Sequence, residues 1–292
     1  MDMDTLYLSS GGIKGYSILG VISVLEKKQL LQYYKTIIGS SVGSIIGLLI
    51  IIGYNSNSIY KLLLNDLEDI LFKKQINQEN ILLNLINFYG INNGNKYKNL
   101  LQYLLKEKKY KIDITFKELY DETQINFIVI TSDICSSELF YFNKDDTPNY
   151  SVINSIMAST CIPLVFQPIY YEDKILVDGG YFNNIKMRYL DSNTLIVNIK
   201  SHSNYIDTSN DLNLFEYSKL LINSLVKSVQ NINNFDSLNI IDLEFDSNGI
   251  SLNINNDERK DLYTYGIFKC LNFFKRRDIL NKYFDIIKNN HK

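Results

Sequence analysis

A chain of 292 residues that is 46% hydrophobic is long enough to bury one large α/β core. Its net charge of −2 offers no electrostatic footprint for nucleic acid, which removes that class of partner. The most apolar run, Val42 to Tyr54, is too short to cross a hydrocarbon layer about 30 Å thick, and the acidic start Met1-Asp2-Met3-Asp4 lacks the basic region of a secretory signal. A soluble, cytoplasmic protein without a transmembrane helix is therefore expected, meeting membranes only at their surface.

Thr5 to Ser10 reads as a short buried strand, followed by Gly11-Gly12-Ile13-Lys14-Gly15 and a helix-like stretch from Tyr16 to Gln29. Tyr34 to Ile38 reads as a second strand, then Gly39-Ser40-Ser41-Val42-Gly43, then an apolar helix. Strand-helix-strand-helix is the opening of a parallel sheet covered by helices on both faces. From Asn55 to about Thr123 three helix-like segments follow, near Ser58–Phe72, Glu79–Tyr89 and Lys96–Lys108, with no strand signal. Residues 55–125 are thus expected to form a helical cap inserted within a single domain covering 1–292. Strands return at Asn126–Thr131 and Glu138–Phe142, and Tyr150–Ser159 reads as helix. Phe166–Tyr171 and Lys174–Val177 flank Glu172-Asp173 as a hairpin, and Thr194–Ile199 is a further buried strand. A helix near Asn213–Gln230, a strand at Asn239–Phe245 and helix from Asp257 onward complete the pattern. Cys135, Cys161 and Cys270 are far apart, as expected of buried reduced thiols.

The chemistry-bearing residues sit at the strand ends. G-x-S-x-G between a strand and a helix is the pattern of a nucleophile elbow, which places Ser41 as nucleophile between Gly39 and Gly43. A serine hydroxyl needs a base. Asp178, in Val177-Asp178-Gly179-Gly180, is one candidate, although D-G-G is also an ordinary turn signal. His202 is the other; His291 lies beside the end of the chain. The loop Gly11-Gly12-Ile13-Lys14-Gly15 can direct backbone N–H groups into one concavity and so stabilise an oxyanion. It matches neither a P-loop nor a dinucleotide fingerprint. No carboxylate or histidine spacing suggests a metal site, and no cofactor is required.

Taken in order, Ser9-Ser10-Gly11-Gly12-Ile13-Lys14-Gly15, Gly39-Ser40-Ser41-Val42-Gly43 and Asp178-Gly179-Gly180 resemble the three motifs of the patatin-like phospholipase family. Ala158-Ser159-Thr160-Cys161-Ile162-Pro163, Asp178 to Asn184, and the tail Asp257 to Gly266 resemble further segments of that family. The resemblance implies a three-layer αβα fold with a mainly parallel central sheet. It also implies a Ser41–Asp178 dyad, with Gly11, Gly12 and Ile13 as the oxyanion loop and a phospholipid or other lipid ester as substrate. The chain departs from the family pattern at Ser9 and Ser10 in place of Asp and Gly, at Lys14 in place of Arg, and at Ile185 in place of Pro. Lysine keeps the charge for a substrate phosphate but loses bidentate geometry. Two other readings stand beside this one: a Ser-His-Asp esterase using His202, and a catalytically weak or inactive lipid- or partner-binding protein. For membrane contact, Lys275-Arg276-Arg277 beside Phe273 and Phe274 is one candidate surface, and the cap with Phe88 and Tyr89 is another.

Overall fold

A computed structural model describes residues 3–63, 78–182, 189–201, 239–245 and 255–290. The expected helix near 213–230, both histidines and the segment 183–188 lie outside the described residues.

The strands that read as near-continuous apolar runs form the middle of one sheet, because strands covered on both faces have no polar side to show. They are β1 (Thr5–Leu8), β2 (Thr36–Ser40), β4 (Asn126–Asp133) and β9 (Thr194–Ser201). With β10 (Ile240–Phe245), β8 (Lys174–Val177) and β7 (Ile169–Tyr171) the order is β10-β9-β1-β2-β4-β8-β7, and β5 (Glu138–Phe142) also pairs with β4. The pairings from β10 to β4 are parallel, whereas β5, β8 and β7 join antiparallel. The architecture is therefore the expected mainly parallel sheet between helical layers.

Helix α1 (Gly15–Lys27) is buried for most of its length and packs on the long helix Asn256–Asn290. The two cross where Gly20 faces the Tyr263 carbonyl and Gly266 faces the Ser17 carbonyl, so close that a β-carbon on either glycine would overlap backbone. That crossing accounts for the glycine in the tail segment Asp257 to Gly266. Helix α2 (Val42–Ile51) is apolar around its whole circumference and is almost entirely buried, as such a helix must be.

The region read as an all-helical cap holds α3 (Ser56–Leu62), α4 (Gln78–Phe88), α5 (Asn95–Glu107) and α6 (Phe116–Thr123). It differs from expectation in two places. Gly90–Asn92 is a short strand, β3, paired in parallel with β6 (Leu164–Phe166). Three residues are too few for a period-two pattern to be visible in sequence. Helix α6 is the second difference, and Thr115-x-x-Glu118 starts it as a capping box with both reciprocal bonds formed. The remaining helix of the described residues is α7 (Val152–Ser159), buried beside β4 and β8. Among the described residues no helix is long and apolar enough to cross a membrane.

Candidate active site

The register of β4 explains how residues 137 positions apart come to touch. Both β5 and β2 pair with Val129 and Ile130, so they occupy opposite edges of β4. Both β5 and β8 pair with Ser132 and Asp133, so β8 lies on the same edge as β2. On that edge β2 ends with Ser40 opposite Ile130, and β8, arriving from the other direction, ends with Val177 opposite Ser132. The residues that follow the two strands, Ser41 and Asp178, therefore meet in the gap at Thr131.

The meeting is a hydrogen bond: Ser41 Oγ donates to Asp178 Oδ2 at 2.5 Å. Ser41 has φ 51° and ψ −123°, a backbone region that a residue with a β-carbon rarely enters. Such conformations cost about 1–3 kcal/mol and persist where surrounding structure enforces them. Here the enforcement is close packing: a β-carbon on Gly43 would lie 2.2 Å from the Leu8 carbonyl oxygen, and one on Gly39 would lie 2.4 Å from Ser44 Cα. The two glycines of the pentapeptide thus let the elbow fold onto itself and onto the end of β1.

Asp178 accepts a second bond, from the Gly180 N–H at 2.8 Å. Burial is the dominant influence on its carboxyl group and raises it from 3.8 to about 6; the Ser41 hydroxyl and the Gly180 N–H pull the other way. A carboxylate held this way is a stronger base than an exposed aspartate and still ionised at neutral pH. The thiol of Cys161 is pushed up to about 12 by burial and by Asp178, and it donates to the Gln167 carbonyl at 3.1 Å, which makes it a structural thiol. Cys270 is likewise buried, whereas Cys135 is exposed, against expectation: it lies in the turn between β4 and β5, which burial does not reach.

The glycine loop lies beside the pair. A β-carbon on Gly180 would sit 2.5 Å from Ser10 Oγ and 3.1 Å from Asp178 Oδ1. Gly12 begins a 3-10 turn, Gly12–Lys14, so the N–H groups of Gly12 and Ile13 have no acceptor within that turn. Gly12 is exposed, and Gly11 and Ile13 are partly so. The unusual Ser9 is built into the scaffold: it is buried, and its hydroxyl accepts the Ile199 N–H at 2.9 Å and donates to the Ser10 carbonyl at 3.2 Å. Lys14 is only 5% exposed, with its ammonium 5.0 Å from the centre of the Phe245 ring. That position ties the loop to β10 and gives little support to direct contact with a substrate phosphate.

One participant carried no assigned role in the sequence. Ser159, at the end of α7, accepts the Ser41 N–H at 2.8 Å and donates to the Ile130 carbonyl at 2.6 Å. Its own carbonyl accepts the Gly179 N–H at 3.0 Å, and the Cys161 carbonyl accepts the Asp178 N–H at 2.8 Å. The signal was present as the Ala158–Pro163 segment, but nothing in its composition indicates what its serine bonds.

Fold and site together define an α/β protein with a serine-bearing elbow after its second strand and an aspartate delivered to it by an antiparallel strand. The family model described as patatin-like phospholipase matches residues 6–191, and the chain belongs to that family. It is 32% identical over 189 residues to a protein of Invertebrate iridescent virus 6 named "Probable lipid hydrolase 463L", a match covering 62% of this chain and 60% of that one. The chain thus spans about three fifths of the length of the curated relatives it matches. Among solved structures, VipD from Legionella pneumophila is similar at a TM-score of 0.57 and 20% identity, covering 94% of this chain and 67% of VipD. The type III effector ExoU of Pseudomonas aeruginosa is similar at a TM-score of 0.52 and 17% identity, covering 94% of this chain and 53% of that one. At such identities these two likenesses speak for the fold.

Proposed function

We propose that the protein is a lipid acyl hydrolase of phospholipase A type that uses a Ser41–Asp178 dyad. Ser41 Oγ attacks the ester carbonyl carbon while its proton passes to Asp178. The N–H groups of Gly11, Gly12 and Ile13 stabilise the oxyanion. On collapse the carbon–alkoxide bond breaks, and Asp178 returns the proton to the leaving alcohol. Water then attacks the acyl-serine, losing a proton to Asp178; the bond from the acyl carbon to Ser41 Oγ breaks as Asp178 returns that proton to Ser41, and the fatty acid leaves. The single observation that carries this reading is the 2.5 Å bond from Ser41 Oγ to Asp178 Oδ2, which leaves the hydroxyl already donated to its base. Family membership supports a lipid ester as substrate.

For contact with an aggregated substrate we favour the cap, read as an insertion within one domain, over the C-terminal basic cluster. Phe274 is buried and Arg277 donates to Asn239 Oδ1 at 2.6 Å, so much of that cluster serves packing. On α4, by contrast, Leu82 and Ile86 are 62% and 63% exposed, and Leu83, Phe88 and the following Tyr89 are exposed as well. A second reading, a lipid- or partner-binding protein with weak or no catalysis, draws its support from the altered loop, where Ser10 lies beside Gly180. The test is release of fatty acid from phospholipid vesicles by the wild-type protein and by Ser41→Ala. Turnover that disappears in the variant is expected; equal rates in both would sink the dyad reading.

A further inference from the structure

We infer that Ser159 is a positioning residue that sets the attack geometry of Ser41, an inference that rests on the proposed acyl hydrolase reading. Ser41 lies between two elements and belongs to neither ladder: β2 ends at Ser40 and α2 begins at Val42. Its N–H therefore needs an acceptor from elsewhere, as a buried amide must have one. The Ser159 hydroxyl, fully buried, is that acceptor. Its single proton goes to the Ile130 carbonyl, so the lone pair facing Ser41 is fixed in direction. Ile130 is the last residue of β4 that β2 covers, and the gap before β8 starts there. Ser159 thus spans the seam in which the dyad forms.

The same short segment also holds the other half of the pair, through the Ser159 carbonyl on Gly179 and the Cys161 carbonyl on Asp178. One rigid helix end therefore fixes the backbone on both sides of the Ser41–Asp178 bond. Neither Ser159 nor Cys161 needs to touch substrate for this. What the Ser159 hydroxyl controls is the distance and angle at which Ser41 Oγ is presented, to which rates are steeply sensitive.

The test compares Ser159→Ala, Ser159→Cys and Ser155→Ala, each as the full chain, in steady-state hydrolysis of a soluble short-chain fatty acyl ester. Ser155 is a matched control on the same helix: it is equally buried, and its hydroxyl bonds only the Val152 carbonyl within that helix. The expected result for Ser159→Ala is a fall in kcat of about 10- to 100-fold with KM within about twofold. Ser159→Cys, with a longer and weaker bond, should fall in between, and Ser155→Ala should keep the wild-type kcat. Should Ser159→Ala not fold, Ser159→Cys decides alone. A wild-type kcat in the Ser159 variants overturns the inference, and so does a loss in Ser155→Ala as large as that in Ser159→Ala. Absence of Ser41-dependent turnover in the wild-type protein would overturn the functional reading and this inference with it.

Discussion

Two surfaces of this molecule carry the functional reading, and they are built in opposite ways. At the seam between β2 and β8 every participant is tied down: a strained serine, a partly buried carboxylate, and a helix end bonded to both. On α4, by contrast, leucine and isoleucine side chains face outward with nothing over them in the described structure. The first region is organised to fix atoms to a fraction of an ångström; the second needs only to be apolar and accessible. Geometry-dependent chemistry leaves motifs in a sequence, and an adaptable apolar face leaves only composition.

The sharpest way to break this comparison is to remove or exchange a single heavy atom at the seam. Ser41→Ala and Asp178→Asn should each lower kcat on vesicles by about a thousandfold or more, while vesicle co-sedimentation stays unchanged. Loss of vesicle binding in these variants would mean that the two surfaces are not separate. Asp178→Asn has a second expected effect, on stability. A carboxyl whose folded pKa is raised contributes favourably below its ordinary value of 3.8 and loses that contribution as pH rises through about 6. At pH 8 the buried charge is a burden on the fold, so Asp178→Asn should be more stable than wild type by up to about 3 kcal/mol in urea. The gain should shrink as pH falls from 7 to 4; a gain independent of pH would contradict the assigned cause.

On the other surface, replacing both Leu82 and Ile86 by Asp should reduce hydrolysis of vesicles about tenfold and leave a soluble short-chain ester untouched. Equal losses on both substrates would show that α4 supports the site rather than the lipid interface. The smallest effect is expected at Thr115→Ala, which removes a helix cap in the cap region. It should cost about 1 kcal/mol by urea denaturation without altering either activity.

What the sequence made legible follows the same division. The sheet's inner strands could be read, though not their order, because strands covered on both faces are largely apolar. Ser41 and Asp178 were visible because an elbow and a sharp strand exit demand glycines at fixed offsets. Their contact was legible only through the family resemblance and not from the residues themselves, because it depends on β8 entering along the edge of β4 that β2 vacates, a matter of register between distant segments. Ser159 was hidden for a related reason: a serine at a helix end is ordinary until its neighbours are known. Lys14 was legible as a charge in a glycine loop, but its burial against Phe245 depends on where β10 lies and could not be read from the sequence.

The central claim is that Asp178, with no histidine between, takes the proton of Ser41. Its most direct test is the rate of fluorophosphonate labelling of Ser41 across pH in the wild type, Asp178→Asn and His202→Ala. The wild-type rate should fall away below about pH 6, the profile of His202→Ala should be unchanged, and Asp178→Asn should show almost no labelling. Labelling that survives in Asp178→Asn and vanishes in His202→Ala would contradict it.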